Sequence, residues 1–316
     1  MFLMQEWYHE LMPERLKYSL IMFLAGCSYG FMVPLVKTAQ YAGFSTGQIM
    51  VSQYIVAITV LILGCLIFSR VKVGLKDAVK LMGMGMVAAS VSFFYYQSLQ
   101  LLTPAMSLTL LFQFVWMGMV VQAVRTKTRP KPATVATVMF VVVGAVFATG
   151  ILDEGVTIES LNVLGILFGF LSAVSYTVFL VLSSRLATAL PAVNRSMFAT
   201  LGSVIISFAV APQYFVRPMV VLEPLVSLGI GTVGICLPVF LIAVSAPKLP
   251  TGLTTIMASS ELPSGVICAA VFLAEPVTLT IGLGVVIVLL GIVASEMETL
   301  RSLRKKTSNG DPPQLE

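Results

Sequence analysis

The sequence predicts an all-α integral membrane protein with ten transmembrane helices arranged as two inverted five-helix repeats. Three features carry that expectation: ten apolar stretches long enough to cross a bilayer, almost no charge inside them, and Lys and Arg collected in every second gap. Hydrophobic residues make up 58% of the 316, charged residues 10%, and the mean hydropathy is +0.98. About a quarter of the residues of soluble chains are charged, and no soluble core hides so much apolar surface. A helix crosses roughly 30 Å of hydrocarbon with about 20 apolar residues. The stretches lack the alternation and even turn spacing of a membrane β-barrel, so their backbone polar groups must be satisfied within helices.

Taken in order, residues 1–17 read as an interfacial segment. It has no basic start or cleavage-site pattern, its apolar run is too short for a signal peptide, and Trp7 and Tyr8 suit the headgroup layer. The first repeat, 18–152, holds spans at 18–36, 49–68, 80–99, 105–124 and 133–152. The second, 153–298, holds spans at 163–182, 197–215, 225–244, 253–273 and 278–295. A basic tail at 299–316 follows and reads as disordered from Thr307 onward.

Orientation comes from the 19 Lys and Arg. Arg15 and Lys17 precede span 1. Arg70, Lys72, Lys76 and Lys80 follow span 2, and Arg125, Lys127, Arg129 and Lys131 follow span 4. Arg185, Arg195, Lys248, Arg301, Arg304, Lys305 and Lys306 fall in the same alternate gaps, leaving Lys37 and Arg217 opposite. Basic residues are retained on the cytoplasmic side of short loops, so both ends are expected in the cytoplasm and the protein in the cytoplasmic membrane. The net charge of +5 then reflects threading. Nucleic acid is not an expected partner, because the basic clusters are short, flank spans and lack interleaved aromatic platforms.

An offset of 147 residues sets Ser28-Tyr29 on Ser175-Tyr176 and Gly144 on Gly291. That is the period of a five-span unit. Five being odd, a second copy enters the membrane from the opposite face, which places a shared site near the midplane. The glycines of GCSYG (Gly26, Gly30) and GILFG (Gly165, Gly169) have the spacing that lets helix backbones approach closely. The string GIGTVG at 229–234 matches a dinucleotide fingerprint in form, but lies inside span 8 without a βαβ context.

Tyr29-Gly30 followed by Lys37, and the stretch from Pro250 through Glu261, Pro263, Glu275 and Pro276 to Gly291, resemble the drug/metabolite transporter superfamily, specifically its EamA-type ten-span group. The resemblance spans essentially the whole chain and is most specific in the second half. It implies two inverted five-helix repeats and export of small molecules. The chain departs from the family pattern where Gln53 stands in place of Arg, where Leu262 separates Glu261 from Pro263, and where RTKTRPKP replaces a Gly-Glu turn.

Glu261 is the one carboxylate well inside a predicted span, where an ionised side chain costs at least about 3 kcal/mol. Three compensations are open: a protonated Glu that releases its proton when the site opens to water, a cationic group on the substrate, or hydrogen bonds to backbone freed by Pro263. In span 3, Phe93, Tyr96, Gln97 and Gln100 share a helical face expected to point into the bundle or a cavity. Ser172, Ser175, Tyr176 and Phe179 repeat the pattern in span 6, and Gln113 and Trp116 lie three apart in span 4. With Tyr29 and Gln53, these residues are the expected substrate lining, since aromatic faces hold rings or amines and amides supply donors and acceptors. Packing, or an interfacial belt, is the competing reading for each aromatic. Lys37 is expected either to snorkel or to attract an anionic group, and Glu275, beside Pro276, to start or cap a helix.

Cys27, Cys65, Cys236 and Cys268 lie singly in spans without metal-ligand spacing, and the lone His9 lies outside them, so no metal or cofactor is expected. The spans offer no nucleophile with a base and no paired acids, which argues against an enzyme. With no phosphate-binding GxxxxGK[ST] loop, direct ATP drive is not expected. The expected function is a secondary-active transporter of a small metabolite or amphipathic compound, an exporter working by alternating access, with proton coupling left open. A channel or non-transporting structural subunit is the alternative. The expected partners are the substrate and the lipid bilayer, with monomer and homodimer both open.

Overall fold

The computed structural model describes residues 2–69, 71–153, 162–215 and 223–308, with side chains for 14–69, 71–153, 162–214 and 223–297. The side chains of Trp7, Tyr8 and His9, Arg217, and the tail beyond Ser308 lie outside these residues. Every regular element among them is helical. Among the described residues nine helical stretches are long and apolar enough to cross a membrane, and Pro132–Ala148 is a shorter apolar one. The protein is therefore an all-α, multi-pass membrane protein.

The elements are α1 (Phe2–Tyr41), α2 (Thr46–Phe68), α3 (Leu75–Leu101), α4 (Pro104–Leu111), α5 (Phe114–Thr126), α6 (Pro132–Ala148), α7 (Val163–Ser183) and α8 (Ala192–Val210). There follow α9 (Pro224–Gly231), a π-helical turn (Thr232–Cys236), α10 (Leu237–Ser245), α11 (Thr251–Ala258), α12 (Glu261–Leu273) and α13 (Leu279–Ser308). Residues 2–17 continue directly into the first span, and the basic stretch 299–308 continues α13.

Local chemistry sets the helix starts. The Ser45 hydroxyl accepts the Gln48 N–H while the Gln48 amide oxygen accepts the Ser45 N–H, a reciprocal cap that opens α2. Thr103 caps α4 with Pro104 at its first position, and Asn162 caps α7 through the Gly165 N–H.

Two predicted spans are broken rather than continuous. Span 4 divides at Phe112–Gln113 and span 9 at Ser259–Ser260, which lie 147 residues further on. In span 9 the cause is Pro263. It has no N–H, so the Ser259 carbonyl accepts from Leu262 instead, tightening one turn. In span 4 the Gln113 side chain does the corresponding work, its amide donating to the Thr109 carbonyl at 3.0 Å. Span 8 is interrupted by the π turn ahead of Pro238, with the Leu237 N–H reaching the Thr232 carbonyl.

Lipid supplies no hydrophobic drive between helices, so packing and hydrogen bonds hold the bundle. α3 presses on α8 so closely that a Cβ on Gly85 would stand 1.6 Å from the Ala199 carbonyl oxygen. Serines tie neighbouring helices through backbone carbonyls: Ser98 to Gly165, Ser172 to Val91, Ser203 to Gly85 and Ser28 to Val233. Such interhelical bonds contribute on average about 0.6 kcal/mol each. Gly165 and Gly169 do lie at a contact, facing Leu101, Leu102 and Leu110.

Candidate functional site

Between the helices lies a chamber of about 400 Å³, lined from α1, α2, α3, α4, α7, α8, the π turn, α10 and the start of α12. It runs along the α1 face carrying Tyr29, Met32, Val33, Val36, Lys37 and Gln40, so it extends from mid-bundle to the end where α1 stops and α4 begins. Glu261 and Tyr176 stand at its deep end, where the Tyr176 hydroxyl donates to Glu261 Oε2 at 3.4 Å. Among the described lining residues Glu261 is the only carboxylate and Lys37 the only cation.

The second break positions Glu261. Ser260 and Ser264 donate to the Phe23 and Cys27 carbonyls of α1 at 2.7 and 2.8 Å. Gly26 and Gly30 make that approach possible. A Cβ at Gly26 would meet Ser260 Oγ at 2.2 Å, and one at Gly30 the Glu261 carbonyl oxygen at 2.4 Å. The predicted close-contact motif thus seats the acid as the first residue of α12, where the helix N-terminus favours negative charge. Pro263 is buried two residues later.

An aromatic shell surrounds the acid. Tyr29 meets Tyr176 edge-on with ring centres 6.3 Å apart, Phe114 lies 4.6 Å from Tyr176, and Tyr176 stacks on Phe179. Tyr54 bonds Ser92 at 3.3 Å, while the buried Tyr96 hydroxyl has no hydrogen-bond partner.

Of the residues expected to line a site, Tyr29, Tyr96, Tyr176, Phe179 and Glu261 meet in this chamber. The α3 stripe is rotated from the expected one. The chamber face carries Ala88, Val91, Ser92, Tyr95, Tyr96 and Leu99, whereas Phe93 packs against Phe94, Gln97 is partly buried elsewhere and Gln100 is exposed. Gln100 lies one residue from the end of α3, so its amide needs no cavity to stay hydrated. Gln113 and Trp116 also lie outside the lining. The Trp116 indole donates to the Gln113 amide oxygen at 2.8 Å, so the pair satisfies itself at the first break. Ser172 is engaged by Val91, and Gln53 is fully buried with its amide unpartnered. Glu275 does not cap α13. Its carboxylate accepts from Lys37 Nζ at 2.5 Å, a pair at the chamber mouth that leaves Lys37 neither snorkelling nor free. Pro276 is exposed in the same turn.

Toward the opposite end of the bundle lies Arg195, the residue that sequence reasoning misplaced. Counted with the gap cations, it lies in the first turn of α8 and is 2% exposed. Its guanidinium donates to the carbonyls of Ser183, Leu186 and Ala243, joining the ends of α7 and α10. A predicted start of α8 two residues earlier than 197 would have enclosed it. On the same side α5 lies along α11, with the Gly252 N–H donating to the Gln122 amide oxygen at 2.6 Å and Thr255 to the Val115 carbonyl. The other halves of these broken spans, α4 and α12, do not pack along one another.

No protein-family profile and no curated protein matches the chain. Solved structures do: one crystal structure is 18% identical, superposes with a TM-score of 0.72 and covers 91% of this chain and 99% of its own. At that identity the likeness concerns the fold. Among the described residues no group of His, Cys, Asp and Glu is placed to hold a metal ion, and the four cysteines are unpaired.

Proposed function

We propose that the protein is a secondary-active transporter of the EamA type, built from two inverted five-helix repeats and exporting a small organic compound across the cytoplasmic membrane by alternating access. The observation that carries the proposal is a chamber within the bundle, with broken helices beside it and, among the described lining residues, a single carboxylate. Broken helices at mid-membrane, tolerated where they line a cavity, are the recurring substrate sites of carriers.

The packing order supports the repeat. Exchanging each helix with its counterpart 147 residues away maps α3 against α7 and α8 onto the α9–α10 span against α1 and α2. It likewise maps α1 against α11 and α12 onto α7 against α4 and α5, while α2 with α8 and α6 with α13 map onto themselves. The symmetry fails most clearly within the broken spans. α5 packs on α11, but the equivalent α12 stands apart from α4. A carrier resting in one of two states related by the repeat's two-fold axis has that asymmetry, and the opposite state would close α4 on α12 and part α5 from α11. With both termini in the cytoplasm, as the basic gaps imply, the chamber as described opens outward. A pore open to both sides would part α5 from α11 as α12 stands apart from α4.

The test is counterflow in proteoliposomes, read with cysteine labelling of both termini. Saturable exchange that Glu261→Gln abolishes, in a protein that still folds, supports the carrier. Non-saturating flux, or termini on opposite faces, refutes it.

A further inference from the structure

The chamber's charge is lopsided. Tyr29, Tyr54, Tyr95, Tyr96 and Tyr176 line it together with Glu261, from α1, α2, α3 and α7. Ring faces carry partial negative charge, so acid and rings act in the same electrostatic sense. The one cation, Lys37, lies eight residues along α1 from Tyr29, about 12 Å at 1.5 Å per residue, and is held by Glu275 at 2.5 Å. The deep end therefore has a carboxyl group, aromatic rings and no positive group to balance the carboxylate form among the described lining residues. Between that end and Lys37 at the mouth the lining is mostly apolar, with Val33, Val36, Leu99, Pro104 and Leu108.

We infer, resting on the carrier reading above, that the substrate is an amphipathic organic monocation: an amine whose ammonium sits at Glu261 among the tyrosines and whose apolar body points toward Leu99 and Leu108. An ammonium over aromatic faces in a desolvated site gains most from this lining, and it removes the cost of an unpaired buried carboxylate. Each alternative leaves something uncompensated. An anion meets a carboxylate and a lining of tyrosine rings. A neutral isostere leaves Glu261 either without a counter-charge or holding its proton, and gains nothing from the acid's charge. An α-amino acid carries its carboxylate beside its ammonium, so docking the ammonium at Glu261 would bury that carboxylate far from Lys37. A volume of about 400 Å³ lies toward the small end of ligand pockets, which limits the body to one or two rings.

The test uses the full-length protein in detergent with 2-phenylethylamine, 2-phenylethanol, 3-phenylpropionate and phenylalanine, four probes sharing one ring. Thermal-shift titration of the wild type alone decides the class: the amine should stabilise at least tenfold more potently than the others. Glu261→Gln should erase that preference, Tyr29→Phe should keep it and Tyr29→Leu should weaken it several-fold. Equal or stronger binding of the alcohol, acid or amino acid, no amine binding at all, or a preference that survives Glu261→Gln overturns the inference. Vesicle assays separate it from the carrier reading. Selective amine binding with non-saturable flux removes the carrier and keeps the ligand class. Saturable exchange of a neutral or anionic compound without amine binding does the reverse.

Discussion

Replacing Gly30 by Ala asks whether α1 must press directly on the break that presents Glu261. The added Cβ would stand 2.4 Å from the Glu261 carbonyl oxygen, 2.6 Å from the Gly265 nitrogen and 2.7 Å from Ser264 Cβ. Ordinary contact begins at 3.4 Å, so about 1 Å of separation is needed, and overpacking of this kind costs about 1–3 kcal/mol. Two of the three atoms are backbone, and no rotamer change can withdraw them. The better helix propensity of Ala returns at most about 1 kcal/mol, leaving a net loss on the order of 1–2 kcal/mol and a melting temperature lower by several degrees. Because the displaced atoms belong to Glu261 and its neighbours, ligand affinity should fall with stability. Gly83→Ala is the control: that glycine is exposed on α3 with nothing within 4 Å, so its Ala variant should be neutral or slightly stabilised. Thermal unfolding and ligand titration on both variants decide the matter. A Gly30→Ala protein with wild-type melting and affinity would mean that α1 and α12 have slack here and that the acid is not positioned by this contact.

Arg195→Met should cost about 3 kcal/mol or more, since three buried carbonyls lose charged donors. Arg195→Lys should restore only part, one ammonium being unable to span the fork, and equal melting of all three proteins would remove Arg195 as a tie. Lys37→Met with Glu275→Gln should change stability by less than about 1 kcal/mol, because the pair is about one-third exposed. Cysteine labelling at Gln40 should nevertheless quicken as the mouth loosens, and an unchanged rate argues against a latch. Gln122→Ala removes the 2.6 Å bond to the Gly252 N–H between α5 and α11. A loss of about 1 kcal/mol there shifts a two-state equilibrium roughly fivefold toward the opposite opening, which cysteines at Thr255 and Tyr95 should report as reciprocal changes in accessibility.

The length and apolarity of the spans were readable because the bilayer imposes both on any crossing helix. Nine of the ten expected spans correspond to helices of crossing length, and the remaining one, at 133–152, to the shorter Pro132–Ala148. The deep acid was readable for the same reason: a carboxylate in an apolar run has few inexpensive places to be. The α3 face was not. Phe93, Gln97 and Gln100 share a helix side, but hydropathy cannot say whether a polar group near a helix end meets a cavity or water, and α3 turns Ser92, Tyr95 and Leu99 inward instead. The break at Phe112–Gln113 was hidden because no proline marks it. The Lys37–Glu275 pair joins residues 238 apart in sequence, a distance at which one sequence offers no pairing signal.

The two breaks share a backbone and divide the chemistry. At the first, the Gln113 amide takes the Trp116 indole and returns a bond to its own helix, so nothing polar is offered to the chamber. At the second, serines hold the break against α1 and Glu261 is left to face inward. In the repeat proposed here this inequality is needed. Two acids brought together at the midplane would repel one another in a low-dielectric space, or would require a doubly charged occupant. One acid facing one self-satisfied amide keeps the geometry able to close from either side while committing the chamber to a single charge. Placing an acid at the silent break, Gln113→Glu, should therefore destabilise the empty protein and shift its ligand preference toward dications.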